Sequence, residues 1–161
     1  MDSVVNANVV FYLGDRDETE SACRYLIDTI KSGYESDSYH YYLDNMTLYY
    51  AVSRAYAHGT SSLSGAREAI IEKVLQSSRD DGSFGNELAT ACAVCSLANV
   101  EYDGVARLRD AARYLERQQR ADGSWRREAM FHGSGVYYGS EELTTALCLE
   151  ALFHVAGSFA C

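Results

Sequence analysis

Four stretches of this chain, each about two helical turns or longer, contain no charged residue: residues 4–13 (VVNANVVFYL), 45–53 (NMTLYYAVS), 88–100 (LATACAVCSLANV) and 143–149 (LTTALCL). A helix that is apolar on every side must be buried on every side. Between them lie three stretches of another kind. Residues 18–31 set Ala22, Tyr25, Leu26 and Thr29 on one stripe. Residues 66–76 do the same with Ala66, Ile70, Ile71, Val74 and Leu75, leaving Glu68, Glu72 and Lys73 off it. Residues 107–119 repeat the pattern with Leu108, Ala111, Ala112 and Leu115. Spacings of i, i+3 and i+4 mark helices with one wet face. The chain therefore runs buried, wet, buried, wet, buried, wet, buried. In a four-helix bundle every helix keeps one wet face, so strict alternation points elsewhere. It predicts an all-α fold of about seven helices, with an inner set lined by an outer set.

The absence of proline from 161 residues fits uninterrupted helices, because proline breaks helix interiors. Helix starts are marked: Asp17 with Glu20 three residues later reads as a capping box, and Asn86 and Asp103 stand where N-caps belong. An internal repeat reinforces the alternation. Residues 75–97 read LQSSRDDGSFGNELATACAVCSL; from residue 115 the chain reads LERQQRADGSW, then an insertion, then EELTTALCLEAL. Each unit is a wet helix, an Asp-Gly-Ser-aromatic turn and a buried helix. Asp-Gly favours a tight turn with a positive φ, which folds Phe84 or Trp125 back onto the helix just left.

A net charge of −9 argues against nucleic acid or an anionic membrane as partner, since both require clustered Lys and Arg. No run approaches the ~18 apolar residues of a membrane span. No basic region followed by an apolar stretch and a small-residue cleavage site opens the chain, so a cytoplasmic protein is expected. Cys23, Cys92, Cys95, Cys148 and Cys161 are odd in number and scattered, which is not a disulfide framework. Cys92 and Cys95 lie three apart in an apolar run and read as core filling. Asp15, Asp17 and Glu18 (GDRDE) invite a Mg²⁺ reading, but Asp17 is accounted for as a cap. His40 and His154 read as satisfied polar residues. With no phosphate-loop pattern either, neither a cofactor nor a metal site is expected.

Alternation also sorts the connections onto two ends. Segments 14–19, 58–65 and 99–104 are polar and plain. Segments 33–44, 80–87 and 122–140 carry Tyr34, Tyr39, His40, Tyr41, Tyr42, Phe84, Trp125, Phe131, His132, Tyr137 and Tyr138, and Asp2 lies at the same end. Thirteen tyrosines against five phenylalanines suit a cavity wall or an interface, because Tyr joins an aromatic body to a polar tip. Tyr39, Tyr41, Tyr42, Trp125, His132, Tyr137 and Tyr138 are the candidate ligand contacts; the alternative is that they pack loops or a partner surface. The insertion FHGSGVYYGS reads as a glycine-rich loop long enough to act as a lid.

Ala112-Arg113-Tyr114-Leu115, Gln119 and Asp122-Gly123-Ser124-Trp125 together resemble the QW repeat of squalene and oxidosqualene cyclases, which protein prenyltransferase β subunits carry in looser form. Gly82 and Phe84 fit a second copy in which Ser78 takes the Gln position. The resemblance implies an α/α toroid, of which residues 1–161 would be one segment, the C-terminal part or half of a full ring. It also implies a terpene cyclase-like or prenyltransferase-like activity on an apolar, isoprenoid ligand, with the Gln and Trp in a structural role. Met1-Asp2-Ser3-Val4-Val5 matches in part the Asp-x-Asp-Asp-Thr-Ala signature of class II terpene cyclases. Asp2 would be the catalytic acid, Ser3 replaces the last Asp, and the first Asp would precede Met1. An N-cap is the other reading of Asp2. A non-catalytic binding or scaffold module of the same fold and a zinc enzyme on an α/α toroid are the alternatives. An open ring exposes apolar faces, so a homo-oligomer or association with the missing part of the ring is expected.

Overall fold

The computed structural model describes residues 2–157, so Met1 and Cys161 lie outside the described residues. Seven α-helices carry the described chain: α1 (Ser3–Leu13), α2 (Glu20–Ser32), α3 (Asn45–Ala57), α4 (Arg67–Gln76), α5 (Glu87–Asn99), α6 (Val105–Gln118) and α7 (Glu141–Gly157). A two-stranded hairpin, β1 (Phe131–Gly133) and β2 (Val136–Tyr138), precedes α7. α1 packs on α3, α3 on α5 and α5 on α7, so the charge-poor helices form one row. α2 rests against α1, α4 against α3 and α5, and α6 against α5 and α7, making a second layer. The fold is therefore all-α in its main body, with the alternation along the chain read out as two layers.

Burial within the row depends on position. α5 sits centrally, and every residue from Glu87 to Leu97 is buried. α1 and α7 end the row, and there the expectation of all-round burial fails. Val5, Val9 and Tyr12 are exposed on α1, and Leu149 and Phe153 on α7. Each end helix has a neighbour on one flank only, so the stripe facing away from it meets solvent.

The caps follow the sequence in part. Asn86 caps α5, its Oδ1 accepting from the Ala89 N–H at 2.8 Å. Asp103 does not cap α6; Gly104 holds that position with no side-chain bond. Nor does Asp17 cap α2. A short 3₁₀ turn, Asp17–Thr19, precedes that helix, and Thr19 organises it, its hydroxyl accepting from the Arg16 N–H and donating to the Gly14 carbonyl. Asp15 has the structural role expected of the acidic cluster. It accepts from the Ser62 and Ser61 hydroxyls and the Ser62 N–H, and these bonds, Ser62 foremost, hold its carboxyl below the usual range.

The internal repeat is reproduced in its backbone hydrogen bonds. In the first unit the Arg79 N–H donates to the Ser83 carbonyl at 2.9 Å and Gly82 donates back to Arg79 at 3.1 Å. In the second unit Arg120, Ser124 and Gly123 do the same, both bonds at 2.9 Å. Asp81 and Asp122 each accept from the N–H two residues on, and that backbone bond is the main cause lowering both carboxyls. Phe84 and Trp125 then turn inward, their N–H groups donating to Thr90 and Thr145 at 3.0 and 3.1 Å. Each turn is thus clasped to the row helix that follows it.

The glycines of these turns sit at φ +90° (Gly82) and +86° (Gly123), a region other residues rarely adopt. A methyl group on Gly82 would meet the Asp110 carbonyl oxygen at 2.6 Å, whereas on Gly123 its nearest neighbour is the tip of Gln119 at 4.0 Å. Gly82→Ala is expected to cost about 2–3 kcal/mol and Gly123→Ala about 1 kcal/mol in urea unfolding. Equal shifts of the two midpoints would remove the distinction drawn here.

Candidate functional site

The N-termini of the row helices gather at one end of the molecule, tied together by hydrogen bonds between their leading segments. Asp2 caps α1, one carboxylate oxygen accepting from the Val5 N–H at 3.0 Å and the other from the His40 N–H at 2.8 Å. The Ser3 N–H donates to the Ser38 carbonyl at 2.7 Å. One segment further on, the His132 N–H donates to the Tyr41 carbonyl at 2.9 Å, and the Tyr42 and Phe131 rings lie 5.1 Å apart. The Asn86 amide donates to Glu128 at 3.0 Å. The segments that the sequence assigned to one aromatic end therefore do meet.

The individual aromatic residues divide. Tyr41, Tyr137 and Tyr138 are exposed, while Tyr39, Tyr42 and His132 are partly buried. The Tyr39 hydroxyl donates to Asn45 at 2.7 Å. Trp125 departs from the expectation of a ligand contact: it is fully buried, and its indole N–H donates to the Leu115 carbonyl at 2.8 Å. It is a core residue that pins its turn to the end of α6, and Phe84 is buried likewise. The glycine-rich insertion is not an irregular loop. Phe131 pairs with Tyr138, His132 with Tyr137 and Gly133 with Val136, leaving Ser134 and Gly135 as a two-residue turn. Gly135 supplies the positive φ such a turn needs.

Beneath this end lies a cavity of about 290 Å³ between the starts of α3 and α5, roofed by residues 128–130. Leu43, Leu88, Cys92 and Met130 give it apolar wall, and Asp44, Thr47, Asn86 and Glu128 give it polar atoms. A second cavity of about 490 Å³ shares Leu43 and Asp44 and reaches Tyr39, Tyr49, Arg79 and Phe84. The first volume, about 290 Å³, falls just below the roughly 300–1,000 Å³ typical of small-molecule pockets, and the second, about 490 Å³, lies within it.

A second constellation crosses the row on the α3, α5 and α7 side chains. The Tyr50 hydroxyl of α3 donates to both carboxylate oxygens of Glu150 on α7, at 2.9 and 3.2 Å. Cys95 of α5 lies in the same place, and its ligand atom, a Glu150 oxygen and a His154 ring nitrogen all fall within 4.8 Å of one another. Arg54 continues the line toward α1, donating to Asn8 at 2.8 Å with its guanidinium 4.3 Å from the Phe11 ring centre. Burial pushes the Cys95 thiol well above its ordinary value, with Glu150 adding to the shift. The Tyr50 hydroxyl is raised by the same two causes. Cys148 is buried and pushed up to about 12 for want of solvation. Cys23, Cys92, Cys95 and Cys148 are all buried free thiols, which the sequence predicted for Cys92 and Cys95, yet Cys95 also touches chemistry that sequence reasoning missed. Glu150 and His154, four apart in the apolar C-terminal half of α7, were the available signal.

No family profile, curated protein or solved structure matches this chain. No helix among the described residues is long and apolar enough to cross a membrane.

Proposed function

We propose that the chain is a segment of an α/α toroid of the terpene cyclase-like and prenyltransferase-like kind, and that it binds a small, uncharged isoprenoid at its aromatic end. The observation that carries this reading is the cavity between α3 and α5, part apolar and part polar in its wall, set under segments rich in tyrosine. The side-by-side row of charge-poor helices with a second layer behind it supports the ring. Apolar side chains exposed on both end helices support its completion by further helices, whether from another copy or from a longer chain. An anionic ligand is disfavoured because Asp44 and Glu128 line the cavity and no Lys or Arg does. A diphosphate there would meet repulsion.

One observation favours a non-catalytic binding module over a cyclase. Asp2, the acid in the class II reading, already caps α1 with one oxygen and holds the His40 N–H with the other. In the catalytic form of the proposal Asp2 would have to leave those bonds to protonate an alkene.

Geraniol and geranyl diphosphate are suitable probes, titrated separately by calorimetry or protein-observed NMR. Saturable binding of the alcohol, at least about tenfold tighter than the diphosphate, is expected. Ala89→Phe fills the cavity from a buried wall position and should weaken alcohol binding roughly tenfold or more, with the helical circular dichroism retained. Absence of saturable geraniol binding, or binding unchanged in Ala89→Phe, would overturn the reading.

A further inference from the structure

We propose that Cys95, Glu150 and His154 form a binding site for a divalent transition metal, zinc above all, with Tyr50 orienting the carboxylate. Three observations carry this. The three potential ligand atoms come from adjacent helices, α5 and α7, and already lie within 4.8 Å of one another. His154 Nε2 stands 3.9 Å from a Glu150 oxygen, wider by roughly half an ångström than the ~3.3 Å between nitrogen and oxygen ligands on one tetrahedral ion with bonds of about 2.0–2.1 Å. The remaining approach is within reach of a rotamer adjustment, since the helix backbones fix the origins and only the side-chain tips must close. Finally, the Tyr50 hydroxyl at 2.9 Å from Glu150 is the kind of outer hydrogen bond that holds a ligating carboxylate in place.

The donor set selects the metal. A thiolate, an imidazole and one carboxylate suit zinc, while calcium and magnesium prefer all-oxygen shells. Binding is written simply: the Cys95 thiol releases its proton to solvent as the sulfur–zinc bond forms, and the neutral imidazole donates its lone pair. The charges of thiolate and carboxylate then balance the dication. Cys95 is buried, whereas Glu150 and His154 are each about one-third exposed, so the ion enters from the α7 side. Three protein ligands leave one coordination position for water or an outside donor, the pattern of a reactive rather than a purely structural zinc. This inference is independent of the isoprenoid reading, because it names different residues and a different ligand.

The test uses the purified full chain, stripped with a chelator, reloaded with Zn²⁺ alone and freed of excess by gel filtration. About one zinc per chain is expected by mass spectrometry of the metal, and Co²⁺ in its place should show a thiolate-to-metal charge-transfer band with tetrahedral d–d absorption. His154→Gln and Cys95→Ser should each weaken binding roughly tenfold or more, while Cys92→Ser and Cys148→Ser leave it unchanged. Cys95→Ser places a hydroxyl in the core; His154→Gln, at a partly exposed site, gives the same test with the fold intact. Wild-type protein that retains almost no zinc, a cobalt spectrum without the thiolate band, or a His154→Gln variant that binds as well as wild type would overturn the proposal.

Discussion

Trp125→Ala is expected to lower stability by about 3–5 kcal/mol, the range for truncating a large buried aromatic. The side chain is fully enclosed, and its removal empties the space under the second repeat turn. It also strands the Leu115 carbonyl that the indole N–H satisfies at 2.8 Å. Trp125→Phe restores much of the volume but not the donor, and should cost about 1–2 kcal/mol. Urea unfolding followed by circular dichroism separates the two, since Trp125 is the chain's single tryptophan and its fluorescence vanishes with it. A loss below about 1 kcal/mol for the alanine variant would mean that the turn is not held by this residue.

The second large effect is expected at Lys73. Its ammonium lies 2.8 Å from Glu35, and the Tyr49 hydroxyl donates to the same carboxylate at 2.9 Å. Glu35 is almost wholly buried, so Lys73→Met leaves a buried carboxylate without its counter-ion, a change worth about 3–5 kcal/mol. Adding Glu35→Gln removes the stranded charge while keeping an acceptor for Tyr49, and most of the loss should return. The double variant is the discriminating measurement. If it is as unstable as Lys73→Met alone, the cost lies in lost packing of the lysine stem and the ion pair is not the cause.

The helices were legible because burial and exposure leave different periods. α5 is predicted at residues 88–100 and found at Glu87–Asn99; α1 is predicted at 4–13 and found at Ser3–Leu13. The two helices that overran their predicted ends are informative. α3 extends past Ser53 to Ala57, and α7 extends past Leu149 to Gly157. In both, the first charged residue nearby closes the charge-free window: Arg54 in α3 and Glu150 in α7. Those are the side chains that form the polar line across the row, so the criterion that found the helices hid the residues most suited to chemistry. The hairpin at 131–138 was hidden for another reason. Its strands are three residues each, and its outer support comes from Tyr41 and Tyr42, some ninety positions earlier. Local composition rich in glycine cannot reveal a partner so distant. Asp17 and Asp103 show the limit of cap signals: both residues are suitable, but the neighbouring turn geometry gave the work to Thr19 and to a glycine backbone.

The two clasped turns carry a consequence for how such a chain tolerates change. In the first unit the clasping threonine follows its aromatic residue by six positions, and in the second by twenty. The same bond forms in both, so fourteen extra residues have been accommodated without displacing either anchor. The clasp therefore tolerates different lengths of chain between its fixed points, even though the inserted hairpin makes its own bonds to Tyr41 and Tyr42. Binding preferences at this end can diverge, or be redesigned by grafting, while the helical body keeps its registration.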